Sequence, residues 1–445
     1  MKRLKVGVVG ANSMSRRVHL TTLSAMSDKL ELVAIADLNE TLGREVADKY
    51  GVKYYKTHLD MMENEQLDVV DIITSPMMHH VIIHDAAKRG IHINCEKPAT
   101  MTMPMMDFII KTVQENGVHF QVSENYPHMP WDIVIRKLRD QGLFGDLVSA
   151  SLCTPVNTVS FDIGVHHYAQ IRDFVGCAPR NLVATMKASK FFDADSLEVL
   201  DDRVRGFGDI VGAAGGATIE FENGIDARME FIPFHFGGEN KDYYLAGDLR
   251  RLVGTKLMVT DNVWPVILPN RGQKPEFHVY QLNEDKTFRE IPVDVVWDSI
   301  GDEKYIRKIS VHTDPVVEWE IPSWAIATNS RIVTEPDENF NFDSKIAWRT
   351  AMFELYDRLY NKIVSGEAPT IDPVDREGVE FCVAMMHSEA MGRTRVDLPL
   401  TETTEYEENY QKFYQKKIGE GVFDFLTSGE KSVKGIEALY TEQRK

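Results

Sequence analysis

Two short stretches of this sequence carry side chains able to hold an oxygen and move a proton. The first is Glu96-Lys97-Pro98. An ammonium group at Lys97 can hydrogen-bond a substrate oxygen and stabilise negative charge as it develops there. The proline fixes its own φ and is compatible with a cis bond that would aim the lysine. The second is Phe161-Asp162-Ile163-Gly164-Val165-His166-His167. Asp162 and His166 stand at i and i+4, so they share one face of a helix. A carboxylate beside an imidazole favours the charged ring and fixes its orientation. Such a histidine can accept the hydroxyl proton of an alcohol as hydride leaves the carbon.

Each stretch also has a plainer reading. Lys97 could be a surface lysine paired with a neighbouring glutamate. Asp162 could cap a helix while His166 packs in the core, because a D-x-x-x-H spacing is permissive. His167 points elsewhere on the same helix and is the weaker candidate. His79-His80 could touch a bound ligand or simply open a helix. A metal site built from His79, His80, His166 and Asp162 has no supporting spacing.

These residues need a scaffold, and the first 125 residues describe one. Short apolar runs recur at Lys5–Gly10, Leu32–Asp37, Val69–Thr74, His92–Glu96 and His119–Ser123. They are rich in Val and Ile and mostly do not alternate, as expected of parallel strands buried on both faces. Between them Glu40–Tyr50 follows a capping Asn39, and Met103–Asn116 stops before Gly117. Regular βα alternation implies a doubly wound sheet. Glu96-Lys97 then ends a strand at the carboxyl edge, where ligands of such sheets bind.

The first strand runs into Gly10-Ala11-Asn12-Ser13-Met14-Ser15. A dinucleotide turn reads G-x-G-x-x-G; here only the first glycine remains. Asn12 tolerates positive φ, Ser15 is small enough for close helix packing, and N–H groups at the helix start would face a pyrophosphate. The second strand ends in Asp37, where an acid binds the adenosine ribose and repels a 2′-phosphate, favouring NAD over NADP. The plainer reading of Asp37 is a turn former.

After residue 125 the pattern changes. Pro130–Gln141 and Gly164–Val175 read as helices and Asp146–Val156 as a strand. Ala217–Glu222 and Ile225–Phe231 flank Asn223-Gly224, the signature of a type I′ hairpin. A second domain with an antiparallel sheet follows from this. Residues 260–340 read as irregular strands and loops, Asp343–Ser365 and Asp375–Gly392 as helices. The expected division is 1–125, 126–400 and a peripheral helical tail, 401–445.

Composition sets outer limits. The chain has 445 residues, 43% hydrophobic and 27% charged, enough for sizeable cores. Its net charge of −18 disfavours nucleic acid and anionic membrane as main partners. Four cysteines without a CxxC pair disfavour a zinc ribbon or disulfide framework. The apolar N-terminal stretch stops at Asn12, too soon for a secretory signal, so a cytoplasmic location is expected.

Taken in order, the motifs resemble the glucose–fructose oxidoreductase / inositol dehydrogenase family (Gfo/Idh/MocA). They are the turn at Gly10, Asp37, TSPMMH at 74–79, GIHINCEKP at 90–98, ENYPHMP at 124–130, GLFGDLVSA at 142–150 and DIGVHH at 162–167, with Val253-Gly254-Thr255 and Val396-Asp397-Leu398-Pro399 later. The resemblance implies an N-terminal nucleotide-binding domain and a C-terminal α/β domain whose large open sheet commonly joins subunits into a homo-oligomer. It implies an NAD(P)-dependent enzyme acting on a secondary hydroxyl of a sugar, glycoside or polyol, with Lys97, Asp162 and His166 as the catalytic group. It places cofactor against Gly10, Asn12, Ser13, Met14, Asp37, Thr74, Ser75, His79, Glu96 and Lys97, and substrate against Tyr126 and His167. Two other functions share this resemblance: a glycoside-cleaving enzyme that uses bound NAD for transient sugar oxidation, and a non-enzymatic NAD-binding regulator. The sequence departs from the family pattern at Asn12 and Ser15, at Pro127 where Arg often follows ENY, and at Ala169 where an acid often stands three residues after the histidine. Residues 260–340 and the tail exceed the usual length. They would shape a larger substrate pocket or add subunit contacts.

Overall fold

The computed structural model describes residues 2–154, 161, 164–187, 214–231, 249–261, 276–332, 345–418, 421 and 423. The first sheet is built from β1 (Leu4–Val9), β2 (Leu30–Ala36), β3 (Lys53–Tyr55), β4 (Val69–Ile72), β5 (His92–Cys95) and β6 (Phe120–Val122). All neighbours are parallel, in the order β3-β2-β1-β4-β5-β6. The order reverses at β1, and the crevice of a doubly wound sheet lies at that switch point, off the carboxyl ends. The connecting helices are α1 (Leu20–Ala25), α2 (Glu40–Tyr50), α3 (His58–Asn64), α4 (Pro76–Ala87) and α5 (Met103–Asn116). Asn39 caps α2 as expected, its side chain accepting the Leu42 N–H at 3.3 Å.

The rest of the chain adds α6 (Pro130–Asp140), β7 (Leu147–Thr154), α7 (Gly164–Val175), β8 (Pro179–Lys187), β9 (Ala214–Phe221), β10 (Asp226–Phe231), β11 (Leu249–Gly254), β12 (Leu257–Asp261), β13 (Phe277–Leu282) and β14 (Phe288–Ile291). There follow β15 (Val293–Ile300), β16 (Glu303–Val311), β17 (Val317–Glu320), α8 (Ser323–Ile332), α9 (Lys345–Ser365), α10 (Pro373–Ala390), β18 (Val396–Asp397) and α11 (Glu405–Ile418). A nine-stranded sheet runs β14-β13-β12-β11-β7-β10-β9-β8-β18. It is antiparallel except where β10 lies parallel to β7. Helices α7 and α10 pack against one face of it and against each other. Along β10 burial alternates residue by residue, the signature of a sheet covered on one side only.

Three expectations change. The hairpin at Asn223-Gly224 forms, but Gly224 alone takes positive φ, at 80°. Its N–H bonds Phe221 O at 2.9 Å, giving a type I turn closed by a left-handed glycine rather than type I′. Residues 276–320 are regular strands instead of irregular ones: β13 and β14 extend the large sheet and β15–β17 form their own antiparallel meander. The tail helix α11 is not peripheral, because Tyr410 and Tyr414 are fully buried. Burying aromatic side chains of that size outweighs the polar composition that suggested a surface position.

Helix α9 crosses back to the first sheet. Its Met352, Phe353, Tyr356 and Leu359 join Leu4, Val6, Val8, Leu20 and Leu23 in one apolar core. A helix from near the C-terminus therefore covers part of the nucleotide-type sheet and brings polar atoms behind its strand ends.

Candidate functional site

The crevice begins at Gly10, which has φ of +106°. A Cβ there would lie 2.1 Å from the Ile73 carbonyl oxygen, so only glycine fits between the ends of β1 and β4. Asn12 does not adopt positive φ. Its side chain works instead as a staple: Nδ2 donates to Ile73 O at 2.7 Å and Oδ1 accepts the Ser15 N–H at 3.1 Å. Ser13 is exposed and Met14 half-buried at the mouth of the turn. Ser15–His19 then forms one wide turn closed by a Leu20 N–H to Ser15 O bond before α1 begins. Asp37 holds the other wall, accepting the Ala11 and Asn39 N–H groups, both at 2.7 Å. A pocket is lined by Gly10, Asp37, Leu38, Thr74, Met78 and the exposed Lys56, a positive group that the sequence reading did not single out.

The fit to a dinucleotide can be tested on the polar atoms. Ser15 Oγ and Ser75 Oγ are shut away from solvent and make no hydrogen bond within the protein. Buried hydroxyls are normally paired, so two such groups, at the start of the first helical segment and at the end of β4, fit a crevice that takes a polar ligand. Together with the glycine at the turn and the carboxylate after β2, these residues suit NAD. Thr74 is half-buried beside Ser75.

The next strand end carries the lysine. Lys97-Pro98 is cis, and Lys97 is half-buried. Glu96 lies beneath it, its Oε2 accepting the Lys97 N–H at 3.0 Å. Its Oε1 meets His19 Nε2 at 2.7 Å. His19 is wholly buried, and its Nδ1 faces Asp71 Oδ2 at 3.1 Å and the Tyr356 hydroxyl at 2.7 Å. Burial alone would depress this imidazole, but Asp71 and Glu96 more than reverse that and push it up to about 10. His79 is also fully buried, with Nδ1 3.1 Å from Pro98 O and Nε2 3.2 Å from Thr74 O. Burial lowers its pKa, and a neutral ring carries one N–H, so it donates to only one of these two carbonyl oxygens. His80 packs edge-on to Tyr414 and Phe423. Among the described residues no group of three or more His, Cys, Asp or Glu side chains is arranged to hold a metal ion.

The histidine arrives on α7. His166 Nδ1 lies 2.6 Å from Glu124 Oε1, and the ring stacks flat on Tyr126 at 3.9 Å between centroids. Asp162, its expected partner, lies outside the described residues, and sequence reasoning did not name Glu124. Burial pushes Glu124 up to about 7, against the Tyr126 N–H, 3.2 Å from the same oxygen, and the positive field of Lys97. His166 thus contacts Glu124 directly, while Lys97, 69 residues earlier in the chain, contributes only its positive field there. His167 is fully buried and edge-on to Tyr126, its Nδ1 2.8 Å from Gln170 Oε1.

Residues 4–124 match the GFO_IDH_MocA family, described as an oxidoreductase family with an NAD-binding Rossmann fold. The rhizopine catabolism protein MocA of Rhizobium meliloti is 32% identical over 205 residues, which cover 42% of this chain and 63% of that protein. The D-apiose dehydrogenase of Paraburkholderia graminis is 31% identical over 142 residues, 32% of this chain and 37% of that protein. The chain thus spans less than two thirds of either relative. Among solved structures, levoglucosan dehydrogenase in complex with NADH and levoglucosan superposes with a TM-score of 0.61 at 18% identity, covering 90% of this chain and 100% of that one. An oxidoreductase from Agrobacterium radiobacter with NAD+, L-tartaric acid and magnesium gives 0.61 at 13% identity, covering 89% and 98%. These structural likenesses extend the shared fold over both sheets. The N-terminal sheet and the crevice at Gly10 are thus the part of this chain that matches the GFO_IDH_MocA oxidoreductases, a family described by its NAD-binding Rossmann fold.

Proposed function

We propose that this protein is an NAD-dependent dehydrogenase acting on a secondary hydroxyl of a sugar, glycoside or polyol. The observation that carries the reading is the His166–Glu124 hydrogen bond at the sheet edge where Lys97 follows β5. Bound NAD supplies the acceptor for the hydride that leaves the alcohol carbon. Lys97 donates a hydrogen bond to the reacting oxygen and stabilises charge on it. His166 takes the hydroxyl proton. Glu124 accepts the His166 Nδ1–H, which leaves Nε2 as the proton acceptor and steadies the imidazolium that forms. Tyr126 holds the ring from its flat side and can share that positive charge through its π face. Asp162, four residues before His166 in the sequence, is proposed to contact an adjacent substrate hydroxyl.

The substrate class rests on relatives named for apiose, inositol and levoglucosan. The uncovered face of the large sheet, where Val148 and Val183 are exposed, is proposed as the contact between copies of the chain. The chemistry is tested by Lys97→Met. The variant is expected to bind NADH normally while reducing NAD+ at a rate lower by about 100-fold or more with myo-inositol, levoglucosan or D-apiose. Unchanged turnover would remove Lys97 from the reaction and the reading with it.

A further inference from the structure

The buried group behind Lys97 has no part in the chemistry above, yet it is costly to build. One imidazole, His19, lies between two carboxylates, Asp71 on β4 and Glu96 just after β5, with all three largely or wholly out of water. A neutral imidazole carries one N–H and could donate to only one of the two. The doubly protonated ring satisfies both. Asp71 is completed by the Asn94 amide at 2.8 Å and by the Tyr356 hydroxyl from α9. Such clusters are rarely retained for stability, since well-packed apolar residues of similar volume do as well or better. What this one does geometrically is specific. Glu96 has two oxygens: one receives His19 Nε2–H and the other receives the peptide N–H of Lys97.

We propose that His19 is a positioning residue for Lys97: by gripping one oxygen of Glu96 it turns the other onto the Lys97 N–H, and so sets the direction in which the ammonium leaves the strand end. The proposal rests on the role given to Lys97 in the proposed function. The wide turn Ser15–His19 delivers the imidazole from the same segment that begins the nucleotide crevice. The lysine is thereby referenced to the cofactor-binding turn, and through Tyr356 to a helix of the C-terminal half. Without His19, Glu96 loses its strongest donor and is free to rotate toward water or toward the lysine ammonium itself. Displacing a reacting group by roughly 1 Å is enough to cost about 100-fold in rate.

The test uses His19→Gln, Glu96→Gln, Lys97→Met and the pair His19→Gln/Lys97→Met in the full chain. NADH binding is followed by fluorescence, NAD+ reduction by absorbance with myo-inositol, levoglucosan and D-apiose, and crystal structures are determined with NADH. For His19→Gln the expected result is a fall in kcat of about 10- to 100-fold with NADH affinity and sugar KM nearly unchanged. Adding it to Lys97→Met should cost nothing more, because a residue acting through the lysine has no effect once the lysine is gone. Its crystal structure should show Glu96 turned off the Lys97 N–H. Glu96→Gln gives the second route if His19→Gln folds poorly, since an amide cannot accept from both N–H groups on separate oxygens. An additive loss in the double variant, or a Glu96–Lys97 contact that survives in the His19→Gln crystal structure, would overturn the proposal. A Lys97→Met protein with full activity would instead overturn the proposed function.

Discussion

Glu124→Gln isolates charge from geometry at the centre of the site. One carboxylate oxygen accepts both the His166 Nδ1–H, at 2.6 Å, and the Tyr126 N–H, at 3.2 Å. The amide oxygen of glutamine can accept the same two bonds, so the ring keeps its orientation and only the negative charge is lost. With charge centres about 4 Å apart and an effective dielectric near 20, that charge stabilises an imidazolium at His166 by roughly 4 kcal/mol, equivalent to about 10³ in rate. The sign of the pH dependence follows from burial, which raises Glu124 to about 7. It is ionised above that pH and protonated below, so wild-type kcat/KM should hold at alkaline pH and fall as pH drops through about 7. Initial rates of NADH formation, measured from about two units below to two units above that midpoint, should show this limb in the wild type and a displaced one in the variant, where only protonation of the base His166 remains. Stability has the opposite slope. The folded state keeps the proton between the ordinary value of 4.5 and about 7, where the unfolded chain has released it. That contribution is fully present below 4.5 and lost as pH rises through about 7, on the order of 3 kcal/mol in total. The glutamine variant should therefore unfold at similar or higher denaturant than the wild type at alkaline pH while losing activity. A variant that keeps kcat/KM within about three-fold, with the acid limb intact, would show that a carboxylate other than Glu124 orients His166.

Three further outcomes follow from the geometry. Gly10→Ala forces a methyl within 2.1 Å of Ile73 O at a φ of +106°, so it should cost about 3 kcal/mol or more and abolish NADH binding, seen together in thermal denaturation and fluorescence titration. Asp37→Ala removes the carboxylate beside the turn but leaves Lys56 in the same pocket; NADH should bind about ten-fold more weakly and the preference over NADPH should narrow, measured by parallel titrations. Tyr414→Ala, in the fully buried position on α11, should destabilise the protein by about 3–5 kcal/mol in urea, whereas an exposed tail position would cost almost nothing.

Local periodicity exposed most of the first sheet. The Val- and Ile-rich runs at residues 5–10 and 69–74 are buried on both faces, so their apolar continuity and their parallel pairing have one cause. Glu40–Tyr50, Met103–Asn116 and Gly164–Val175 were readable to the residue because their starts and stops are chemical: Asn39 and a glycine after each end of the first two. The meander of β15–β17 was not readable as regular structure. Its first strand carries exposed Val296 and Trp297 among charges, so neither alternation nor a continuous run stands out. Helix α11 failed differently. Its tyrosines count as polar in a composition, and only the surrounding core shows that they are buried.

The site was legible where a motif is local and hidden where it is assembled. Gly10, Asp37 and Glu96-Lys97-Pro98 are each fixed by their own strand, and the sequence could name them. His19, Asp71 and Tyr356 come from three segments, the last 285 residues beyond Asp71, and no spacing announces them. Glu124 is the instructive intermediate. In the structure β5 and β6 are parallel neighbours with Cys95 opposite Val122. Two residues beyond each lie Lys97 and Glu124. Parallel strands run about 4.8 Å apart, so residues at equal offsets past paired positions emerge side by side at the same edge. The placing of Lys97 and Glu124 at the same sheet edge was therefore implicit in the strand ends C-E-K and V-S-E once their register is known. The register is what the one-dimensional pattern lacks, because β6 is only three residues long and its apolar run, His119–Ser123, aligns equally well one residue either way. A shift of one would set Asn125 or Ser123 beside the lysine, with no charge to orient His166. In the proposed chemistry, competence at this edge depends on the pairing that holds β6 to β5, and on the Asn94 bonds to Gln121 and Ser123 that cross between the two strand ends.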